Sequence, residues 1–302
     1  MDDRPVVSVC MITYGHEEFI EQAVNGVLMQ ECDFNFELIL GNDASPDKTD
    51  SIVNAILQNH PQAHRINYLR QEKNIGMLPN FLATLKRCSG KYIALCDGDD
   101  YWTDPTKLQR QVDFLEASRE CSFCFHKASK IVGIDEKKSG VYPEKVTGSA
   151  IDASQFFQIT TIPTASVVYR NDVAFPELLH SHPDFLLYCT LLSKGLAGFI
   201  DRDMSVYRLH DGGISSRYGS KNYMENRIAE LFIEKDYPTF KSVVRRQIKK
   251  ILTDHILFFI SDNRRTLRFG EKIHYIKILL GLRHFYEQPV KAQLRLVKIL
   301  FQ

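Results

Sequence analysis

Residues 92–102 read Tyr92-Ile93-Ala94-Leu95-Cys96-Asp97-Gly98-Asp99-Asp100-Tyr101-Trp102, an apolar run that passes directly into three carboxylates around one glycine. The apolar half has the length and composition of a fully buried strand. Carboxylates do not stay in an apolar core without partners, so the chain must surface where the acids begin. In an open parallel α/β sheet, ligands bind at that C-terminal edge. Three acids within four positions repel one another unless a cation lies between them, and hard oxygen donors suit Mg2+ or Mn2+. Read alone, Asp-Gly-Asp is equally a surface turn, because Asp and Gly form turns for backbone reasons. The segments upstream favour the ligand site.

Working back toward the N-terminus, the chain alternates between two periods. Val6 to Thr13 is an apolar strand bounded by Pro5 and Tyr14-Gly15-His16, and Phe19, Ile20, Ala23, Val24, Val27 and Leu28 follow at helical spacing. Phe36 to Leu40 is a second strand that stops at Gly41-Asn42-Asp43. Asp47 or Thr49 caps a helix with Ile52, Ala55 and Ile56 on its buried face. Ile66 to Leu69 is a third strand, followed by Asn74-Ile75-Gly76. A helix from about Pro79 presents Phe81, Leu82 and Leu85 and ends at Ser89-Gly90. Repeated strand–helix alternation predicts an α/β fold with a mostly parallel central sheet, helices on both faces and right-handed crossovers.

Downstream the pattern loosens. Leu108, Val112 and Leu115 predict a helix, while Cys121–Val132, Val141–Val146 and Ala165–Tyr169 predict strands. Leu186, Leu187, Thr190 and Leu191 lie on a helix ending at Gly195. Leu196–Ile200 and Met204–Tyr207 read as two short strands before the polar loop Arg208-Leu209-His210-Asp211-Gly212-Gly213.

The bulk properties fit one large α/β domain with an appendage: 302 residues, 44% hydrophobic and 25% charged. No secretory signal and no run of eighteen apolar residues is expected from the sequence. Seven cysteines, mostly in apolar contexts, read as reduced packing residues of a cytoplasmic protein. Cys121-x-x-Cys124-x-His126 lacks the second pair that a zinc site needs and reads as a core strand. The net charge of +1 hides a divided chain, because residues 241–302 carry 14 Lys and Arg against 4 Asp and Glu.

Each of the first four strand ends carries polar residues, and four such ends on one sheet edge define a crevice. In order they are Thr13-Tyr14, Asn42-Asp43-Ala44-Ser45-Pro46-Asp47, Asn74-Ile75-Gly76 and Asp97-Gly98-Asp99-Asp100. With Gly90-Lys91-Tyr92-Ile93 leading into the last, this ordered set over about residues 6–217 resembles the family 2 glycosyltransferases of bacterial glycan biosynthesis. That resemblance implies a GT-A, Rossmann-like fold and a hexosyl transfer from a UDP-sugar to a saccharide or lipid-linked acceptor. The expected division is a catalytic domain over residues 1–220 and a basic helical region over 221–302.

The chemistry suits those positions. As the sugar departs from a nucleoside diphosphate, the leaving group's charge must be neutralised, which a bound Mn2+ or Mg2+ does as a Lewis acid. The resemblance implies that Asp99 ligates the ion and that Asp97, beside Gly98, holds ribose hydroxyls or a metal-bound water. It places Thr13, Tyr14, Glu18 and Asn74 around the nucleotide, although Thr13 and Glu18 read equally as helix caps. Asp43 is expected to accept the ring N–H of uracil. Asp184, at the start of a helix in His182-Pro183-Asp184-Phe185, matches the family's acidic position for the base of an inverting transfer. Pro183 departs from the common Glu-Asp pair there, and a helix N-cap is the plainer reading of Asp184. Val206-Tyr207-Arg208-Leu209-His210 is similar to the family's Tyr-Arg-x-His. It assigns Arg208 to phosphate charge and His210 to the metal or the diphosphate.

The basic tail interleaves cations with Ile248, Ile251, Leu252, Leu257 and Phe258, which fits amphipathic helices meeting an anionic membrane surface from the cytoplasmic side. Packing on the catalytic domain competes with that reading, nucleic acid ranks below it, and an oligomer stays open. Two rival functions remain. A nucleotidyltransferase needs a Gly-rich, basic phosphate loop after the first strand, which Tyr14-Gly15-His16-Glu17 is not. A saccharide-binding scaffold would be expected to lose the acids that Asp97 and Asp99 retain.

Overall fold

The computed structural model describes residues 4–133, 136–156, 159, 161–173 and 183–213, together with Gly270. One compact unit takes in residues 1–177 and 183–216. The basic region expected to be helical, residues 221–302, lies outside the described residues apart from Gly270.

The expected strand–helix alternation is present. In chain order the elements are β1 (Val7–Thr13), α1 (Ile20–Leu28), β2 (Phe36–Asn42), α2 (Thr49–Asn59), β3 (Ile66–Arg70), α3 (Met77–Leu85), β4 (Tyr92–Leu95) and β5 (Tyr101–Trp102). They continue as α4 (Lys107–Ala117), β6 (Cys121–Val132), β7 (Lys137–Tyr142), β8 (Ala150–Ile151), α5 (Ala153–Phe156), β9 (Val168–Arg170), α6 (Pro183–Leu192) and β10 (Leu196–Leu209). The sheet order is β3-β2-β1-β4-β9-β6-β10-β5, with β7 beside β6 and β8 beside β10. β1, β2, β3 and β4 pair in parallel, and so do β6 and β10. Short β9 runs antiparallel to both β4 and β6, so those two strands share one direction.

The core forms where apolar periodicity is densest. β1 and β4 are buried almost throughout, and Ile20, Ala23, Val24 and Val27 of α1 are fully buried in the same core cluster. Each large aliphatic side chain enclosed in this way contributes about 1.5–3 kcal/mol. α1 lies so close to β5 that a Cβ at Gly26 would sit 2.9 Å from the backbone N and O of Trp102. Any side chain there would push the helix off the strand.

Local boundaries differ from expectation where tertiary contacts override periodicity. The most deeply buried residues of α3 are polar Asn80 and Thr84, while Phe81, Leu82 and Leu85 are only half-buried. Asn80 Nδ2 donates to the Gly41 carbonyl at 2.9 Å, and a Cβ on Gly41 would strike the Thr84 hydroxyl. Where the helix rests on Gly41 of β2 it buries small polar groups instead of large apolar ones. On α2 the buried face is Val53 and Ile56, with Ala55 exposed. The two short strands expected after Gly195 are one strand, β10, whose register against β6 shifts around Asp203. The strand expected at Val141–Val146 lies earlier, as β7.

All seven cysteines are free, and Cys121, Cys124 and His126 are buried in β6 as core residues. Among the described residues no helix is long and apolar enough to cross a membrane.

Candidate active site

The acidic segment leaves β4 at the C-terminal edge of the parallel strands, beside the end of β1. Gly98 N donates to the Ile12 carbonyl at 2.9 Å and Cys96 N to the Cys10 carbonyl at 3.2 Å, so the loop is tied to β1 by its backbone. A Cβ on Gly98 would lie 2.7 Å from Thr13 Oγ1 and 2.8 Å from Thr13 Cβ. Real Cβ contacts are not that close, so only glycine lets the two strand ends meet.

The three carboxylates are handled differently. Asp100 is buried, and its Oδ1 accepts the Arg208 backbone N–H at 2.8 Å, fixing β10 to the loop. Asp97 and Asp99 keep a partly exposed edge. Asp97 Oδ2 accepts the Thr164 hydroxyl at 2.8 Å. Enclosure by the surrounding loops pushes the Asp97 carboxyl up to about 7, the charges of Asp99 and Asp184 add to the rise, and the Thr164 hydrogen bond opposes it. Asp99 goes the other way: burial works to raise it, but the His210 hydrogen bond and the His16 and His210 charges outweigh that and hold it below the usual carboxylate range. Two neighbouring acids in one site are thereby given different protonation behaviour.

Three side chains from separate segments meet at Asp99. His210 Nε2 lies 3.1 Å and His16 Nε2 3.8 Å from Asp99 Oδ2. One ligand atom from each of His16, Asp99 and His210 falls within 4.8 Å of the other two. Donors about 2.0–2.2 Å from a shared ion lie about 3–3.5 Å apart, so the His210–Asp99 pair has the spacing of a divalent-cation site and His16, slightly farther out, would move inward to join it. Among the described residues it is the group of three or more metal-capable side chains. His16 went unnoticed in the sequence, where it marked the end of a strand. A histidine just past the C-terminal edge of β1 was the available signal.

The other expected residues fall around this centre. Thr13 is buried at the end of β1, and Tyr14 is exposed beside it. Glu18 is exposed in the turn before α1. Its neighbour Glu17 makes the loop contact instead, accepting Lys48 N at 2.8 Å, while Glu17 N donates to Asp47 Oδ2 at 3.0 Å. Asp43 is buried and clamps the loop after β3: its carboxylate oxygens accept Ile75 N at 2.7 Å and Gly76 N at 2.9 Å. A carboxylate has about four lone-pair positions, so both oxygens retain capacity for a further donor. Asn74 belongs to that clamped loop, with its Oδ1 accepting Gly76 N at 3.1 Å.

Arg208 was expected to face phosphate. Its side chain is nearly fully buried and satisfied within the protein: Nε donates to the Asp99 carbonyl at 3.0 Å, one terminal nitrogen to Gln22 Oε1 at 2.6 Å and the other to Glu136 Oε1 at 3.2 Å. It also stacks over Phe19 and Tyr101, 4.6 and 5.2 Å from the ring centroids. The guanidinium thus braces the acidic loop from behind. Asp184 is exposed in the first turn of α6, and its charge acts on both Asp97 and Tyr188.

The sequence model described as "Glycosyl transferase family 2" matches residues 8–175. The uncharacterized protein Mb1547 of Mycobacterium bovis is 35% identical over 210 residues, covering 69% of this chain and 60% of that protein. The chain therefore spans less than two thirds of the length of that relative. WfaP of Escherichia coli, named a UDP-Glc:alpha-D-GlcNAc-diphosphoundecaprenol beta-1,3-glucosyltransferase, is 28% identical over 218 residues, covering 70% of this chain and 80% of WfaP. Among solved structures, S. aureus TarS residues 1–349 in complex with UDP superposes with a TM-score of 0.65 at 18% identity, covering 97% of this chain and 88% of that one. That likeness establishes the GT-A-type fold.

Proposed function

The chain belongs to glycosyl transferase family 2, and from that premise we propose that it is a metal-dependent, inverting glycosyltransferase that uses a UDP-sugar. The observation that carries this reading is the loop after β4, where Asp97 and Asp99 keep exposed edges, His210 meets Asp99, and Asp184 acts on Asp97 from α6. Asp99 and His210 would hold Mn2+ or Mg2+, which supplies Lewis-acid neutralisation of the diphosphate when bound. Asp97 is assigned to the ribose or to a metal-bound water, and Asp43 to the uracil N–H. Thr13, Tyr14, Glu18 and Asn74 border the nucleotide. Arg208 is assigned to holding the acidic loop in place instead of to phosphate, since its N–H groups are committed to protein oxygens.

Asp184 takes the acceptor hydroxyl proton at its carboxylate while the sugar carbon is attacked opposite the leaving diphosphate. Its exposed position at a helix start gives a bulky acceptor access. A saccharide or lipid-linked acceptor agrees with the name of the E. coli relative, whose acceptor is a diphosphoundecaprenol-linked sugar. The surplus of ten positive charges over residues 241–302 would draw the enzyme to an anionic cytoplasmic membrane surface.

The deciding experiment is a screen for nucleoside diphosphate release against a panel of nucleotide sugars with Mn2+. Release is expected from a UDP-sugar and is abolished by chelation. Release that persists undiminished in chelator removes the metal from the proposal, and preference for a GDP-sugar removes the uracil role of Asp43. Salt-sensitive sedimentation with anionic but not neutral liposomes tests the tail.

A further inference from the structure

His16 is held more firmly than a bystander at a strand end. Its backbone N–H donates to Thr49 Oγ1 at 3.0 Å, and its carbonyl accepts the N–H groups of Phe19 and Ile20, both at 2.9 Å. Its ring packs edge-on to His210, with centroids 6.0 Å apart. Nδ1 lies 3.2 Å from Thr13 Oγ1. With the proton on Nδ1, that nitrogen donates to the threonine hydroxyl and Nε2 keeps its lone pair, aimed at Asp99. Hydrogen bonding of one imidazole nitrogen is how proteins fix both the tautomer and the direction of a metal-ligating histidine. Gly98 completes the arrangement, since a Cβ there would lie 3.0 Å from His16 Nδ1 and displace the ring or Thr13.

We propose that His16 is a third protein ligand, giving this site two imidazoles and one carboxylate, and that the site therefore selects a transition-metal dication over Mg2+. The inference rests on the metal role assigned above to Asp99 and His210 and goes beyond it to the identity of the ion. Mg2+ demands a nearly regular octahedron of oxygen ligands and gives up its water reluctantly. Imidazole nitrogen suits the later first-row metals, and affinity at a mixed nitrogen–oxygen site rises from Mn2+ to Co2+. A site of carboxylates alone would show a much weaker bias. The third ligand is contributed by the β1 end, so it joins the segment that borders the nucleotide to the acidic loop through the ion.

Calorimetric titration of the full chain with Mg2+, Mn2+ and Co2+ in the absence of nucleotide tests this, with the Co2+ visible absorption as a second readout. The protein is expected to bind Co2+ at least about tenfold more tightly than Mg2+. In His16→Gln the Co2+ affinity falls about tenfold or more, Mg2+ affinity moves less than about twofold, and the Co2+ bands change position and intensity. Thr13→Val keeps the ring but removes its orienting partner, so it lowers Co2+ affinity by a smaller factor; it also serves if the histidine variant fails to fold by near-UV circular dichroism. Equal Co2+ affinity in folded His16→Gln and the parent overturns the proposal, as does a parent protein with no preference over Mg2+. Asp99→Asn separates the two levels. If it abolishes Co2+ binding while His16→Gln does not, only the third ligand is lost; if neither variant affects binding, the metal site itself is wrong.

Discussion

The loop after β4 and the interface between α4 and β6 both enclose ionisable groups, and they treat them in opposite ways. In the loop every carboxylate has a partner drawn from a distant segment: Thr164 for Asp97, His210 for Asp99 and the Arg208 backbone for Asp100. Under α4, Lys107 Nζ, Gln111 Oε1, His126 Nε2 and Ser205 Oγ are buried without hydrogen-bond partners among the described residues. Lys107 faces the Trp102 ring, with its nitrogen 3.8 Å from the centroid, and burial pushes the amine down to about 7 against the opposing effect of Cys96, Cys124 and Cys32. The first region keeps charge in place by partnering it, and the second carries a desolvation cost that the rest of the core must offset. Charge that is partnered but still partly exposed is available for chemistry, whereas charge that is sealed affects only stability.

The sharpest way to break this contrast is to remove one of the two acids that keep a partly exposed edge, the one that meets His210. Asp99→Asn is expected to lower transfer by about a thousandfold or more and to abolish metal-dependent UDP binding, with the fold intact by circular dichroism. Unchanged UDP affinity in the presence of Mn2+ would show that the partnered loop is structural after all. Asp184→Asn should leave donor binding unchanged and slow turnover by about a hundredfold, the ordinary weight of a general base. The product anomer, read by NMR, should be inverted relative to the donor; retention would remove the base assignment.

Arg208→Lys probes the brace behind the loop. A lysine cannot reach the Asp99 carbonyl, Gln22 and Glu136 together, because its donors sit on one point and not on a planar fork. We expect kcat/KM to fall about tenfold, divided between both parameters, which is the signature of a displaced loop and not of one lost phosphate contact. A change confined to KM for the nucleotide sugar, with kcat intact, would restore the phosphate role.

The smallest effect belongs to the sealed region and is read in stability. An amine whose folded-state pKa is about 7, against about 10.4 unfolded, binds fewer protons in the folded state between those values. Stability must then rise with pH above about 7, by at most about 1.4 kcal/mol per unit. Attraction to the Trp102 ring favours the charged amine and reduces that slope. Buried thiols such as Cys124, pushed up to about 12 by burial, tilt the curve the other way once free thiols ionise. Lys107→Met removes the lysine and with it the charge that lowers the Cys96 and Cys124 thiols, so the comparison is read below the range where free thiols ionise: the variant should be more stable by about 1–2 kcal/mol at pH 7 and the advantage should shrink as the pH rises toward about 8.5. Stabilities of variant and parent that stay a constant distance apart over that range would show that Lys107 is not the source.

Much of this was legible from the residues in order. Strand and helix periods placed β1 to β4 and α1, because the residues that bury one face of a short element are close together in sequence. The polar residues at four strand ends marked the crevice for the same reason. Periodicity failed at α3, where Asn80 and Thr84 are buried because Gly41 lies beneath them, and at β10, where an irregular register joins two apparent strands into one. What only the tertiary structure decided was partnership. Asp99 meets His210 across a separation of 111 residues, and Arg208 bonds Gln22 across 186. No local pattern encodes such pairs. His16 gained its place beside Asp99 only when β1 and β4 became neighbours in the sheet, and Arg208 was turned from solvent to brace when β10 crossed behind the loop. The sequence determined which residue types stand at the sheet edge, through short-range hydrophobic pattern; close packing of distant segments determined which of them face one another.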